Sequence, residues 1–327
     1  MMTNFIVVVG LGNISKRHRA NIKKLFPKAQ VIAVSSREQV PATFVSNADI
    51  VTKDIKSALE YPVDFSVIAS PAPFHASHSD LMLQRKIPLL IEKPVTSSSV
   101  DAAFLRRLTN DANVPVAVGY CLRYLPSAHI VKAALKDGMI GQVYNVTASI
   151  GQFLPEWRPA IDYRQSVTAN AELGGGALWE LSHEFDYLQW LFGDLSLSHA
   201  ILRNSIELGL DVEELVDVVM RTENGIVCNV HLDLLQKYQQ RTCSVVGAKG
   251  RLDWDLINNT VELFDRTGKT ILYEDVCYDK NLMYLDMLKD FERQIHGESS
   301  RSATLEEAHK VVSLIEAIKE SASVEKI

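Results

Sequence analysis

The chain has 327 residues, 47% of them hydrophobic, and a formal net charge of −6 with lysine and arginine scattered rather than gathered in blocks. That length exceeds one ordinary core and suits two domains, while the charge gives no electrostatic footprint for nucleic acid or an anionic membrane, so small-molecule chemistry is the default. The four cysteines, Cys121, Cys228, Cys243 and Cys277, make no C-x-x-C, which suggests neither a metal site nor a disulfide framework and fits reduced thiols in a cytoplasmic protein.

The apolar start at Phe5–Val9 has no basic residue before it and a glycine turn after it, so it reads as a first strand rather than a signal peptide. No run approaches the eighteen or so apolar residues of a membrane helix. Val8-Val9-Gly10-Leu11-Gly12-Asn13-Ile14-Ser15 then passes from strand into helix, the context in which a dinucleotide fingerprint carries meaning. Gly10 and Gly12 supply the turn and the close approach of backbone to pyrophosphate, and Ser15 stands where the third glycine would pack helix on strand.

Further short apolar runs follow at Val31–Ser35, Phe65–Ala69, Pro88–Ile91 and Val116–Gly119, separated by segments able to form helices at Ser15–Phe26, Ile55–Tyr61, Pro73–Arg85 and Val100–Asp111. Continuous apolar character predicts strands covered on both faces, as in a parallel sheet. At the tip of the second strand, Ser35, Ser36 and Arg37 replace the acid that would grip a ribose diol, and they favour a 2'-phosphate; NADP is therefore expected, with NAD still possible through Glu38. Lys93, in Glu92-Lys93-Pro94, sits at the exit of the fourth of these strands, the edge where doubly wound sheets meet their ligands.

After about residue 122 the texture changes to longer alternating strands such as Gln142–Ile150, Glu213–Arg221, Ile226–Leu232, Arg241–Val246 and Thr260–Phe264. The whole is read as α/β: an N-terminal Rossmann-type doubly wound parallel sheet over 1–122, then an α+β domain over 123–327 with a large, mostly antiparallel sheet. Two closing helices, roughly Asp279–His296 and Leu305–Ser321, are placed with the second domain, with packing back on the first left open.

Gly174-Gly175-Gly176 leads into Ala177–Phe192, where Leu178, Leu181, Phe185, Leu188 and Phe192 form a helical stripe, and Glu180, His183 and Tyr187 fall together on the opposite side. A carboxylate beside an imidazole orients the ring and raises its basicity, which suits a general base. The glycines would let backbone approach a ligand closely.

These pieces resemble one family. Gly10–Ile14, Ser70-Pro71-Ala72-Pro73-Phe74-His75, Glu92-Lys93-Pro94, Gly119–Pro126 and Gly174–Gly176 running into His183–Asp186 match motifs of the Gfo/Idh/MocA oxidoreductases in the family's order. The resemblance implies NAD(P)-linked oxidation or reduction at a hydroxyl carbon of a sugar, cyclitol or derivative, and a homodimer or homotetramer formed through the C-terminal sheet. By motif, Lys93 resembles the lysine that contacts substrate and nicotinamide, His183 the acid/base histidine, and Ser70, Pro71, His75 and Glu92 residues of the cofactor pocket. The family often has an aspartate four residues before that histidine, where this chain has Trp179; the proton relay is then Glu180–His183, or His183 works with Lys93 alone. Arg123, Tyr124, Trp157, Arg158 and Tyr163 are candidates for the substrate side, through guanidinium forks and aromatic faces, and the segment Trp157–Arg164 is similar to a branch found with surface-polysaccharide metabolism. Two other readings remain: a non-catalytic NADP sensor, and a glycosidase or lyase that uses bound dinucleotide for transient oxidation.

Overall fold

The computed structural model describes residues 5–327 apart from Arg37, Glu38, Pro41, Ala42, Arg158 and Ala160. Arg37 and Arg158, expected to hold a 2'-phosphate and the substrate, therefore lie outside the described residues. Two compact units emerge, Met1–Cys121 with Asn281–Val312 and Leu122–Lys280 with Ser313–Ile327.

The first unit begins β1 (Phe5–Val9), α1 (Asn13–Leu25), β2 (Gln30–Val34), β3 (Ile50–Thr52), α2 (Ile55–Ala58), β4 (Val63–Ile68), α3 (His75–Leu83), β5 (Leu89–Ile91), α4 (Ser99–Ala112) and β6 (Val116–Val118). Its six strands are all parallel and lie in the order β3-β2-β1-β4-β5-β6. Val7, Val8, Val31, Ile32, Val67, Ile68 and Leu89–Ile91 are each 0% exposed, so the continuous apolar runs do mark strands covered on both faces. The strand order reverses between β1 and β4, and in such folds the ligand crevice opens at the carboxyl ends beside that reversal.

The second unit contributes α5 (Pro126–Lys136), β7 (Val143–Gly151), α6 (Leu154–Trp157), α7 (Ala177–Glu180), α8 (His183–Phe192) and β8 to β14 (Leu195–Asn204, Leu215–Thr222, Val227–Asp233, Gln240–Gly247, Arg251–Asp255, Thr260–Asp265 and Gly268–Glu274). The chain closes with α9 (Asn281–Ile295), α10 (Leu305–Ser321) and β15 (Val324–Lys326). Nine strands form one sheet in the order β14-β13-β12-β11-β7-β10-β9-β8-β15, antiparallel except for the pairs β7–β10 and β8–β15. Alternation sets its two faces. Val146, Ala148, Val216, Val218, Cys228, Val230, Cys243, Val245 and Trp254 are buried on one, under α5 and α8, where the Trp254 indole donates to Ser127 Oγ at 2.8 Å and meets the Tyr187 ring edge at 5.2 Å. No helix among the described residues is long and apolar enough to cross a membrane.

The single helix expected over Ala177–Phe192 is two helices. Leu181 leaves helical geometry (ψ 27°), and the Glu184 amide reaches back only to the Leu181 carbonyl, a three-residue step. The break accompanies two buried carboxylates: Glu184 meets Arg241 through two hydrogen bonds of 2.8 Å, and Asp186 meets Arg123 through two of 3.1 and 2.7 Å. Residues 181–188 are all buried, so the face opposite the apolar stripe packs into protein too.

Candidate functional site

The glycine loop is built as the fingerprint requires. Gly10 has φ +110°, and a Cβ there would stand 2.5 Å from the Ala69 carbonyl oxygen and 2.7 Å from Ser15 Oγ, so only glycine fits. Ser15 is fully buried and its hydroxyl donates to the Ala69 carbonyl at 3.0 Å, stitching α1 to the end of β4 where a third glycine would only make room. A Cβ on Gly12, by contrast, would meet nothing within 4 Å. Gly12 is also the N-cap of α1, with no side-chain cap, and the first turn holds no acid. Free amide donors, the positive end of a helix dipole and open space above a glycine are what a pyrophosphate needs, and the residues present fit a dinucleotide. Asn13 is exposed and Ile14 half-buried at the same helix start; Ser35, 6% exposed, and half-buried Ser36 follow β2.

Two loops at the carboxyl ends of β4 and β5 are tied together by one histidine. Pro71 opens a 3-10 turn into α3. His75 is 1% exposed; its Nε2 lies 2.7 Å from the Ser70 carbonyl and its Nδ1 3.1 and 3.2 Å from those of Pro94 and Val95. Burial lowers its proton affinity. Ser70 Oγ pairs with His78 Nδ1 at 2.9 Å, and burial together with the nearby His75 lowers the His78 pKa to about 4.

Lys93 emerges half-buried at the end of β5. The residue before it, Glu92, is fixed from both sides: His18 Nε2 on α1 donates to one carboxylate oxygen at 2.6 Å, and the Lys93 amide donates to the other at 3.2 Å. His18 is wholly buried, with the Tyr284 ring edge-on at 6.2 Å and the Arg17 guanidinium 4.5 Å over that ring. Sequence reading finds Glu92 and Lys93 but not His18, whose signal, a histidine on the inward face of the first helix, is common in cores.

In the second unit His183 is 9% exposed and opens α8, while Glu180 ends α7 and accepts a hydrogen bond from Thr168 Oγ1 at 2.9 Å. The glycine triplet serves the chain itself. Gly176 has φ +103°, and any Cβ there would overlap the carboxylate of Glu213, which in turn accepts the Leu178 amide at the start of α7 and pairs with Lys319 at 2.8 Å. Gly176 admits the Glu213 carboxylate, and Gly175 admits the backbone carbonyls of Val167, Thr168 and Asn170, which would lie 2.6–2.7 Å from a Cβ there.

The substrate candidates fare unequally. Arg123 is 2% exposed with its fork engaged by Asp186, a buried bidentate pair rather than a displayed grip. Tyr124 is 3% exposed. Trp157 is half-buried at the end of α6, and Tyr163 donates its phenol to the Leu208 carbonyl at 3.1 Å beneath the Arg164 guanidinium.

Residues 5–120 match a family model described as oxidoreductase family, NAD-binding Rossmann fold, and residues 129–253 match the Gfo/Idh/MocA C-terminal domain. An inositol 2-dehydrogenase from Acidothermus cellulolyticus is 26% identical over 257 residues, covering 75% of this chain and 71% of its own length. The fold is that of a levoglucosan dehydrogenase in complex with NADH and levoglucosan, with a TM-score of 0.85, 18% identity and coverage of 98% of this chain and 97% of that one. A 3-ketoreductase from Actinomadura kijaniata, in complex with TDP-benzene and NADP, aligns over 100% of both chains with a TM-score of 0.80 and 18% identity. Two family models that together span most of the chain, over the six-stranded parallel sheet and most of the nine-stranded one, leave one assignment: the chain belongs to the Gfo/Idh/MocA family of oxidoreductases with an NAD-binding Rossmann domain.

Proposed function

We propose that this chain is an NADP-preferring dehydrogenase or reductase that acts on the hydroxyl or carbonyl carbon of a sugar, cyclitol or nucleotide-sugar derivative, with Lys93 and His183 as its catalytic residues. The observation that carries this reading is the position of Lys93. It leaves the carboxyl end of a central parallel strand next to a glutamate anchored by α1, in a family whose members of this architecture include sugar and cyclitol dehydrogenases. The glycine loop, with Gly10, Gly12, Asn13 and Ile14, would hold the pyrophosphate, and Ser35, Ser36 and Arg37 the ribose phosphate; Ser70, Pro71 and His75 would shape the nicotinamide side.

The nicotinamide, when bound, accepts or returns the hydride. His183 takes the hydroxyl proton in the oxidative direction and gives it back in the other, with Glu180 as the carboxylate that passes the proton onward. Lys93 is a cation beside the oxygen on which negative charge grows, and so favours the transition state over the alcohol. Trp157 and Tyr163 offer aromatic faces for a sugar ring and Arg158 a fork for an anionic substituent. Arg123 is left out of this set because Asp186 already neutralises it. The half-exposed face of the nine-stranded sheet is the surface we assign to homodimer or homotetramer contact.

A screen of sugars, cyclitols and nucleotide sugars with NADPH or NADP, run on the wild type, Lys93→Met and His183→Asn, tests this. Lys93→Met is expected to abolish turnover while NADPH binding by fluorescence stays within about threefold, and His183→Asn to slow turnover by about 10² to 10⁴. Retained turnover in Lys93→Met removes that lysine from the mechanism.

A further inference from the structure

Arg19 is a buried cation with no acid beside it among the described residues. It lies on α1 in the row Ser15, Arg19, Lys23, four residues apart and therefore on one face. Lys23 is neutralised by Asp49 at 2.5 Å. Arg19 is 2% exposed, donates Nε to the Ser46 carbonyl at 2.9 Å and reaches the Gly10 carbonyl at 3.4 Å, and among the described residues no carboxylate lies within ion-pairing distance of it. Burial makes its charge harder to hold. A guanidinium has five N–H donors in a planar fork, and among the described residues two carbonyl contacts, one of them long, leave most of that capacity unused and the charge without a counter-ion.

The two carbonyls also say where the fork is. Gly10 belongs to the glycine loop at the end of β1, and Ser46 to the stretch that runs from the end of β2 into β3. In a doubly wound dinucleotide fold the ribose of the adenosine half lies between those segments, and an arginine nearby is what accommodates a 2'-phosphate. Guanidinium and phosphate match as a bidentate pair.

We propose that Arg19 is a cofactor-specificity residue of this chain, supplying from α1 the positive charge that distinguishes the 2'-phosphate of NADP from the bare ribose of NAD. The proposal rests on the NADP preference stated above and adds a residue that inspection of the β2 tip does not find, since Arg19 precedes that strand in the sequence.

Calorimetric titration of the full-length chain with adenosine 2',5'-bisphosphate and with adenosine 5'-monophosphate tests it without any turnover. The wild type, Arg19→Gln, Arg19→Lys and Arg37→Ala are compared, with melting curves of each as a control on folding. Arg19→Gln, which keeps a donor for the Ser46 carbonyl and loses the charge, is expected to bind the bisphosphate at least about tenfold more weakly with the monophosphate unchanged; Arg19→Lys, which keeps the charge, is expected to retain much of the preference even if the glutamine variant fails to fold. An equal loss for both ligands, or a lysine variant without preference, overturns the assignment. Preference intact in Arg19→Gln and lost in Arg37→Ala also overturns it while leaving the NADP reading in place. A wild type that binds both probes alike removes the NADP reading and this one with it.

Discussion

Asp186 and Arg123 are each nearly invisible to solvent, 1% and 2% exposed at the side chain, and each is the other's charge. Glu184, 0% exposed, depends on Arg241 in the same way. Breaking such a pair on one side strands an uncompensated charge, which costs about 3–5 kcal/mol, whereas replacing both partners by apolar groups of like volume is often neutral. Asp186→Leu and Arg123→Met are therefore each expected to lower unfolding stability by about that amount in urea titration, and the double variant to recover most of it; additive losses would mean that the two residues are held by other partners. The pair also shows where sequence stops. That Asp186 and Arg123 carry charge and lie within the family's motifs is plain from the chain, but a local pattern cannot reveal that residues so far apart neutralise each other, and so Arg123 reads as a substrate grip. The turn glycines Gly10 and Gly12 and the proposed site residues Lys93 and His183 have signals that are local: a turn, a strand exit and a motif.

At the scale of elements, burial decided what could be read. β1, β2 and β5 carry runs of buried aliphatics and announce themselves, whereas β3 is only partly buried and β15 is wholly exposed, so neither shows an apolar run or a period. The break between α7 and α8 is hidden for a different reason: the apolar stripe continues through it, and the buried carboxylates Glu184 and Asp186 that accompany it are paired with arginines distant in the sequence. The nine-stranded sheet holds one charged row that no single strand predicts. On its half-exposed face Arg203 of β8 pairs with Asp217 of β9, which takes a bond from His231 Nδ1 on β10 at 2.7 Å, while His231 Nε2 meets Asp233 at 3.1 Å. The Asp233 bond raises the His231 pKa, burial opposes it and Asp217 adds to the rise. For Asp233, burial alone would raise the pKa, but His231 and the amides of Leu235 and Gln236 outweigh it and the net shift is downward. A raised histidine stabilises fully below its unfolded value of 6.5 and loses that contribution as pH climbs through the folded one; a depressed aspartate does the reverse, losing its contribution as pH falls below 3.8. The row is thus strongest between those values and weakens in alkali. His231→Gln should lose more stability relative to wild type at pH 6 than at pH 9 in urea titrations, and a deficit that is equal or larger at pH 9 would remove the charged imidazolium from the sheet's stability.

The chain returns to its first unit near its end, and that unit is completed by Asn281–Val312. Phe291 of α9 is 0% exposed and meets Phe65 of β4 edge-on at 5.7 Å, with Met287 and Leu288 equally buried. Asn281 and Asn21 exchange two amide bonds of 2.8 and 3.1 Å, and the Val118 amide at the end of β6 donates to the Ala303 carbonyl at 3.0 Å. Each of those three apolar side chains is worth about 1.5–3 kcal/mol on burial, which together approaches the about 5–15 kcal/mol that holds an ordinary domain folded. Residues 1–121 alone should therefore lack a cooperative melt, even though every strand of the parallel sheet and the whole glycine loop lie within them. Residues 1–121 joined to 281–312 should fold. The Cys121 side chain lies beside Tyr284, so a Gly/Ser linker of about eight residues reaches with slack. The two proteins are compared by circular dichroism melting and by quenching of NADPH fluorescence: a sharp transition with dinucleotide binding is expected only in the joined form. The same behaviour from residues 1–121 would mean that α9 covers a unit already stable without it, and that the dinucleotide site owes nothing to the chain's return.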